Sequence, residues 1–189
     1  MATDVDLVIL GGGCAGLSLA WRLLALGDAC PKVLILERRA AYSNDRTWCF
    51  WDDKDARMDG LVTHEWRWLK LTWLAKTVWF DCGQSAYQML PASSFYDRAL
   101  QAIGECTAVT LALGQVVTAE PMLGSTGWTI GSNLGQITAR MVVDTRPLAV
   151  PSAGGAILWQ SFYGHEVCCE VEVFTPEAAE LMDFTVGVR

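Results

Sequence analysis

Residues 5–10 (VDLVIL) form a short β-branched and leucine run, which predicts a strand buried on both faces. A glycine-rich stretch follows. Beyond it, Leu17, Trp21 and Leu24, with Leu23 beside them, recur at helical spacing and predict a helix from about Cys14 to Leu26. Gly27 is a natural stop for that helix, and Pro31 lies beyond it. Residues 32–37 (KVLILE) read as a second buried strand that ends on an acid. Strand, helix and strand with a right-handed crossover make the two strands parallel.

From residue 43 to 80 the texture changes. Six of the nine tryptophans fall there (48, 51, 66, 68, 73 and 79), in segments such as WRWLKLTW and KTVWFD. These segments predict antiparallel strands of an inserted sheet. Residues 91–103 predict a helix that Pro91 opens and Gly104 closes, with Phe95, Leu100 and Ile103 as its apolar positions. Strand-like pieces follow at 107–120, 127–131 and 136–143, then a Gly/Ser/Pro-rich loop at 147–155. The run ILWQSFYGHEVCCEVEVF at 157–174 again reads as sheet. The fold class is α/β: a Rossmann-like βαβ domain for a dinucleotide, interleaved with an antiparallel sheet.

Composition narrows the function classes. With 52% hydrophobic residues and a mean hydropathy of +0.25, the chain has enough apolar surface to fold rather than remain disordered. A net charge of −7 with no basic run argues against a nucleic-acid partner. No stretch reaches the roughly 18 apolar residues a spanning helix needs. The seven cysteines are odd in number and show no zinc-type spacing, so no metal site is expected. The N-terminus runs straight into a strand without a cationic leader, which predicts a cytoplasmic protein with free thiols.

The candidate chemistry begins at Gly11-x-Gly13-x-x-Gly16, with Ala15 inside the turn. The first glycine makes the tight turn, the second admits a pyrophosphate to the backbone, and the third lets helix and strand pack closely. The helix N-terminus adds unpaired N–H groups and a positive dipole end. Glu37, 21 residues after Gly16 and at the end of the next strand, is placed to accept both hydroxyls of a ribose. The 2′-phosphate of NADP would meet a like charge there, an objection that Arg38 and Arg39 soften.

After the second strand comes Ser43-Asn44-Asp45-Arg46-Thr47-Trp48-Cys49-Phe50-Trp51, which resembles the signature of bacterial lycopene β-cyclases. YQML from Tyr87, VVDTR at 142–146, WQSFYGHEV at 159–167 and LMDF at 181–184 extend the resemblance over the whole chain. The resemblance implies a flavoprotein with an FAD-binding part at 1–42 and 105–150, and a substrate-binding sheet part at 43–104 and 151–189. It implies cyclisation of the ψ ends of lycopene, or of a related ψ-ended carotenoid, to β-ionone rings by acid–base chemistry without net redox change. Reduced FAD would assist, with NAD(P)H as electron source. The protein would associate peripherally with the membrane that dissolves its substrate. Family members are about twice as long, so the resemblance also implies a truncated and incomplete sheet part, with the main catalytic acid beyond residue 189.

Individual residues keep alternative readings. Arg46 is expected at the flavin or its phosphates, or in an ion pair with Asp45 or Asp52. Val117 either flanks the adenine or belongs to the sheet core, and Asp144 either contacts the ribityl chain or simply ends a strand. Trp48 and Trp51 are the substrate candidates, because a carbocation gains from an aromatic face, whereas Trp66, Trp68, Trp73 and Trp79 are expected in the sheet core or, where partly exposed, at a membrane-facing mouth. Glu166 and Asp183 are candidate acids if burial in an apolar tunnel raises their pKa. The rival readings are an FAD-dependent hydroxylase or prenyl reductase, and a non-catalytic dinucleotide-binding remnant.

Overall fold

The computed structural model describes residues 3–52, 58–74, 76–147, 164–165 and 167–185. In chain order its elements are β1 (Thr3–Leu10), α1 (Cys14–Leu24), β2 (Val33–Glu37), β3 (Thr47–Trp51), β4 (His64–Trp66), β5 (Trp68–Trp73) and β6 (Lys76–Asp81). They continue with β7 (Tyr87–Pro91), α2 (Ala92–Gly104), β8 (Val109–Leu113), β9 (Val117–Gly124), β10 (Gly127–Ser132), β11 (Gly135–Asp144) and β12 (Ala178–Asp183). Two compact units emerge, Met1–Thr47 with Pro91–Leu148, and Trp48–Leu90 with Ala149–Arg189.

The first unit is built on a six-stranded sheet in the order β8-β2-β1-β11-β10-β9. β1, β2, β8 and β11 run parallel, while β10 is antiparallel to both β11 and β9. β1 therefore stands between β2, reached through α1, and β11, which arrives from the far end of the chain. The ends of β1 and β11 form the switch point at which open α/β sheets bind ligands.

Strand alternation divides the core. Val8, Leu10, Leu34 and Leu36 cluster on one face with Ile130, Ile137 and Ala139. Leu7, Ile9, Val33 and Ile35 are equally buried on the other parity. Every residue of β2 is buried, as its unbroken apolar run predicts. α1 and α2 pack together, with the rings of Trp21 and Phe95 6.2 Å apart. That packing moves the unit boundary. Residues 91–104, expected with the inserted sheet, belong to the first unit because Phe95, Tyr96, Ala99 and Ile103 are buried there.

The second unit holds two three-stranded sheets, β12-β5-β6 and β3-β7-β4, where the sequence suggests one antiparallel sheet. β5–β6 and β4–β7 are antiparallel, but β12 runs parallel to β5. The anticipated sheet at 157–174 is not formed where it can be followed. Val167–Phe174 is irregular, and Val171, Val173 and Phe174 stay exposed; residues 157–163 and Glu166 lie outside the described residues. The expectation that the tryptophans fill a sheet core also fails. Trp66 is half-buried, whereas Trp68 and Trp73, at the two ends of β5, are exposed, as is Trp79 on β6, which presents both of its faces to solvent. The side chains that do cluster are those of Trp51, Tyr87, Trp66 and His64, with successive ring centroids 4.7, 6.1 and 4.9 Å apart.

Burial predicts unequal mutational costs. Ile35→Ala, at a fully buried position, should destabilise the chain by about 2–5 kcal/mol in urea unfolding, whereas Val78→Ala on exposed β6 should change stability by less than about 0.5 kcal/mol. Equal effects would contradict the division between packed and exposed strands.

Candidate functional site

The glycine turn joins β1 to α1 in the first unit. Gly11 adopts a φ of +96°, a left-handed conformation that only glycine takes freely, and its N–H donates to the Leu36 carbonyl at 2.9 Å. Gly16 is demanded by packing, since a Cβ there would collide with the Gly11 carbonyl oxygen. Gly13 differs. A Cβ on it would meet nothing nearer than Arg39 Nη2 at 3.8 Å, so the protein leaves space beside this backbone. Gly13 is also the N-cap of α1; no side chain caps the helix, and no acid occupies its first turn. The first N–H groups of α1 are thus available to an anion.

Glu37 closes the turn from behind. Its residue is only 6% exposed, yet its carboxylate is well supplied with donors. Oε2 accepts the Gly12 N–H at 2.6 Å, while Oε1 accepts the Arg39 N–H at 2.8 Å and Arg39 Nε at 3.0 Å. Burial pushes its pKa up, but the Arg39 backbone and guanidinium and the Gly12 N–H outweigh this and hold it below the ordinary value. Arg39 reaches further, donating from Nη1 to the Tyr96 hydroxyl at 3.0 Å and pairing with Asp45 at 3.5 Å. Its guanidinium lies 5.0 Å from the centroid of the Tyr42 ring and 5.4 Å from that of Tyr96. Tyr42 in turn donates its hydroxyl to the Gly12 carbonyl at 2.7 Å. Burial and the Glu37 charge raise the Tyr42 pKa, so the phenol keeps the proton it donates.

Thr145 locks the other side of the turn. Its hydroxyl donates to the Leu10 and Gly11 carbonyls at 2.9 and 3.0 Å. Asp144, at the end of β11, receives the Arg146 guanidinium at 2.7 Å, and this pair depresses the Asp144 pKa against an opposing effect of burial. Arg146 also reaches Glu120 at 3.1 Å.

The structure thus brings together Gly11, Gly13, Gly16 and Glu37, with Ala15 exposed on the first turn of α1. It gives the role beside Glu37 to Arg39, while Arg38 is exposed. Arg46 forms the ion pair with Asp45, at 3.3 Å, with its side chain 58% exposed. Val117 packs against the sheet core. Trp48 is half-buried and Trp51 is exposed beside Tyr87, both in the second unit. Glu166 falls outside the described residues. Asp183 corrects an expectation: it is exposed, and hydrogen bonds from the Thr185 hydroxyl and N–H hold its pKa below the usual value.

Sequence reasoning missed Gly12, Tyr42, Tyr96 and Thr145. Gly12 left a signal as the middle of three consecutive glycines, where a Cβ would sit 2.5 Å from the Tyr42 hydroxyl, and Thr145 lies within the VVDTR run.

Two stability experiments follow from this geometry. Gly16→Ala should destabilise the chain by about 1–3 kcal/mol, and Gly13→Ala should not, as read by thermal melting. A loss of similar size at Gly13 would show that the space beside it is not free. Glu37 has a lowered pKa in the folded chain, so its contribution is full above the unfolded value of about 4.3 and is lost as pH falls through the lower folded value. Glu37→Gln should therefore cost about 1–3 kcal/mol at pH 7 and flatten the acid limb of stability below about pH 5. An unchanged acid limb would remove Glu37 from the network.

Comparison with known proteins bears on the fold and the family. The p-nitrophenol 4-monooxygenase of Pseudomonas putida aligns at 16% identity with a TM-score of 0.63, over 77% of this chain and 41% of that one. A probable FAD-dependent monooxygenase of Pseudomonas aeruginosa aligns at 18% identity with a TM-score of 0.56, over 74% of this chain and 42% of that one. A geranylgeranyl bacteriochlorophyll reductase-like protein of Thermoplasma acidophilum aligns at 14% identity with a TM-score of 0.56, over 76% and 39%. The chain thus spans less than half the length of these three proteins, and the likeness establishes a shared Rossmann-like fold. No curated protein matches significantly. The lycopene cyclase protein family matches residues 6–189, and the chain belongs to that family.

Proposed function

We propose that the first unit binds FAD, and that the chain takes part in closing the ψ ends of lycopene into β-ionone rings. The observation that carries this reading is the open backbone at Gly13 in front of an uncapped α1, with the Glu37 carboxylate held behind it. The diphosphate would lie against Gly13 and the first N–H groups of α1, and the adenosine ribose against Glu37. A carboxylate oxygen has more than one lone pair, so Glu37 keeps acceptor capacity for ribose hydroxyls while bonded to Gly12 and Arg39.

When bound in reduced form, with NAD(P)H as electron source, flavin would supply an electron-rich ring to assist the acid–base chemistry. This chain's own residues would position it, with the adenosine ribose rather than a 2′-phosphate favoured beside the Glu37 charge. The run Asn44-Asp45-Arg46-Thr47-Trp48-Cys49-Phe50-Trp51, within the family match, favours the cyclase over a hydroxylase or prenyl reductase. The proton donor is assigned to no described residue. Exposed Trp73, Val78, Trp79 and Phe80 support peripheral association with the cytoplasmic face of the membrane that dissolves the carotenoid.

FAD titration of the purified chain should show binding that Gly13→Val weakens at least about tenfold at unchanged melting temperature. Absence of FAD binding to the unsubstituted chain would sink the cofactor reading. The reaction is tested by exchanging this chain for the corresponding half of a working lycopene cyclase in lycopene-accumulating cells. β-Carotene from the chimaera supports the proposal, and failure of a stably folded, FAD-loaded chimaera overturns it. Vesicle flotation should fall on Trp73→Ala with Trp79→Ala, and unaffected flotation would remove these indoles from a membrane contact.

A further inference from the structure

Arg39 sends its guanidinium nitrogens in three directions, and the protein itself fixes two of them. Nε donates to Glu37 Oε1 at 3.0 Å, and Nη1 donates to the Tyr96 hydroxyl at 3.0 Å. Nη1 also pairs with Asp45 Oδ2 at 3.5 Å, and the Tyr96 hydroxyl donates in turn to Asp45 Oδ1 at 3.4 Å. The rings of Tyr42 and Tyr96, with centroids 4.5 Å apart, both bear on the guanidinium. The third nitrogen, Nη2, lies 3.8 Å from the place a Cβ on Gly13 would take. Among the described residues no hydrogen bond engages it.

The acid that holds Nη1 is itself anchored. Asn44 Oδ1 accepts the Ser93 N–H at 3.2 Å, and the Arg46 carbonyl accepts the Ala92 N–H at 2.9 Å, so residues 44–46 close the N-terminus of α2. Tyr96 stands on the same helix, within its first two turns. Asp45 therefore keeps its place between Arg39 and Arg46, whose Nε pairs with it at 3.3 Å. A guanidinium braced by two acids and two rings loses little freedom when a ligand arrives. Its planar fork also suits phosphate oxygens better than a point charge does. Arg39 keeps 28% of its side chain exposed, which leaves it open to a ligand.

We infer that Arg39 is an anion-binding residue of the nucleotide site, presenting Nη2 to a phosphate oxygen of a nucleoside diphosphate laid against Gly13. This inference rests on the nucleotide reading of the same site. The division of labour follows from the geometry. Nε keeps the Glu37 carboxylate charged for the ribose, Nη1 fixes the fork against Asp45 and Tyr96, and Nη2 faces the open backbone. One side chain would thus contact the acid beside the ribose and the phosphate beside the helix. The α1 N–H groups supply the remaining donors, since no side chain caps that helix.

The test compares ADP with adenosine, which carries the ribose but no phosphate, by NMR titration of the whole chain. Arg39→Gln should weaken ADP binding at least about tenfold and adenosine binding less than about threefold. Equal losses for the two ligands would reduce Arg39 to a support for Glu37 and overturn the inference, while ADP binding by the unsubstituted chain would leave the nucleotide reading standing. Binding of neither ligand to the unsubstituted chain would overturn both. A second measurement needs no substitution and covers the case in which Arg39→Gln folds poorly. In arginine side-chain spectra of the unsubstituted chain, ADP should shift the Arg39 guanidinium signals and adenosine should not. Signals that ADP leaves in place, or that adenosine moves as far, would again overturn the assignment.

Discussion

The carboxylate of Glu37 ties the end of β2 to the turn that leaves β1, and much of the first unit is arranged around keeping that carboxylate charged while buried. Removing a carboxylate from water is costly unless charged or backbone donors replace the lost hydration. Gly12 and Arg39 provide those donors at 2.6 to 3.0 Å. Arg39 is itself fixed by the Tyr96 hydroxyl of α2 and by the faces of Tyr42 and Tyr96. One charge-assisted cluster therefore joins β2, the glycine turn and α2. Thr145 completes the frame from β11 by holding the Leu10 and Gly11 carbonyls.

This arrangement separates two jobs that the glycine motif performs together. Gly11 and Gly16 serve the fold, one through its left-handed backbone and the other through close contact between turn and helix. Gly13 serves neither, since a side chain there would meet nothing nearer than Arg39 Nη2 at 3.8 Å. Gly12 serves the network, with the Tyr42 hydroxyl and Glu37 packed where a side chain would stand.

The second unit follows a different physical logic. Among the described residues its sheets are narrow, and β6 has a single neighbouring strand, so strongly apolar strands remain in contact with solvent. Its aromatic side chains still organise, as the row from Trp51 through Tyr87 and Trp66 to His64 shows, but they do so across a partly open face.

The sequence by itself determined β1, α1, β2 and the glycine turn, because each depends on interactions within a few residues: strand runs of uniform apolarity, a stripe at helical spacing, and glycines at fixed offsets. It also marked Glu37 by position. Tertiary structure decided what surrounds that acid. Arg39 meets Tyr96 across 57 positions, and Thr145 meets Gly11 across 134, distances over which no local periodicity carries information. It likewise decided that α2 joins the first unit, through Trp21 and Phe95, and that Trp73 and Trp79 face solvent. Apolar character states a tendency to be buried; whether a neighbouring strand or helix arrives to bury it is settled only when the sheets are assembled.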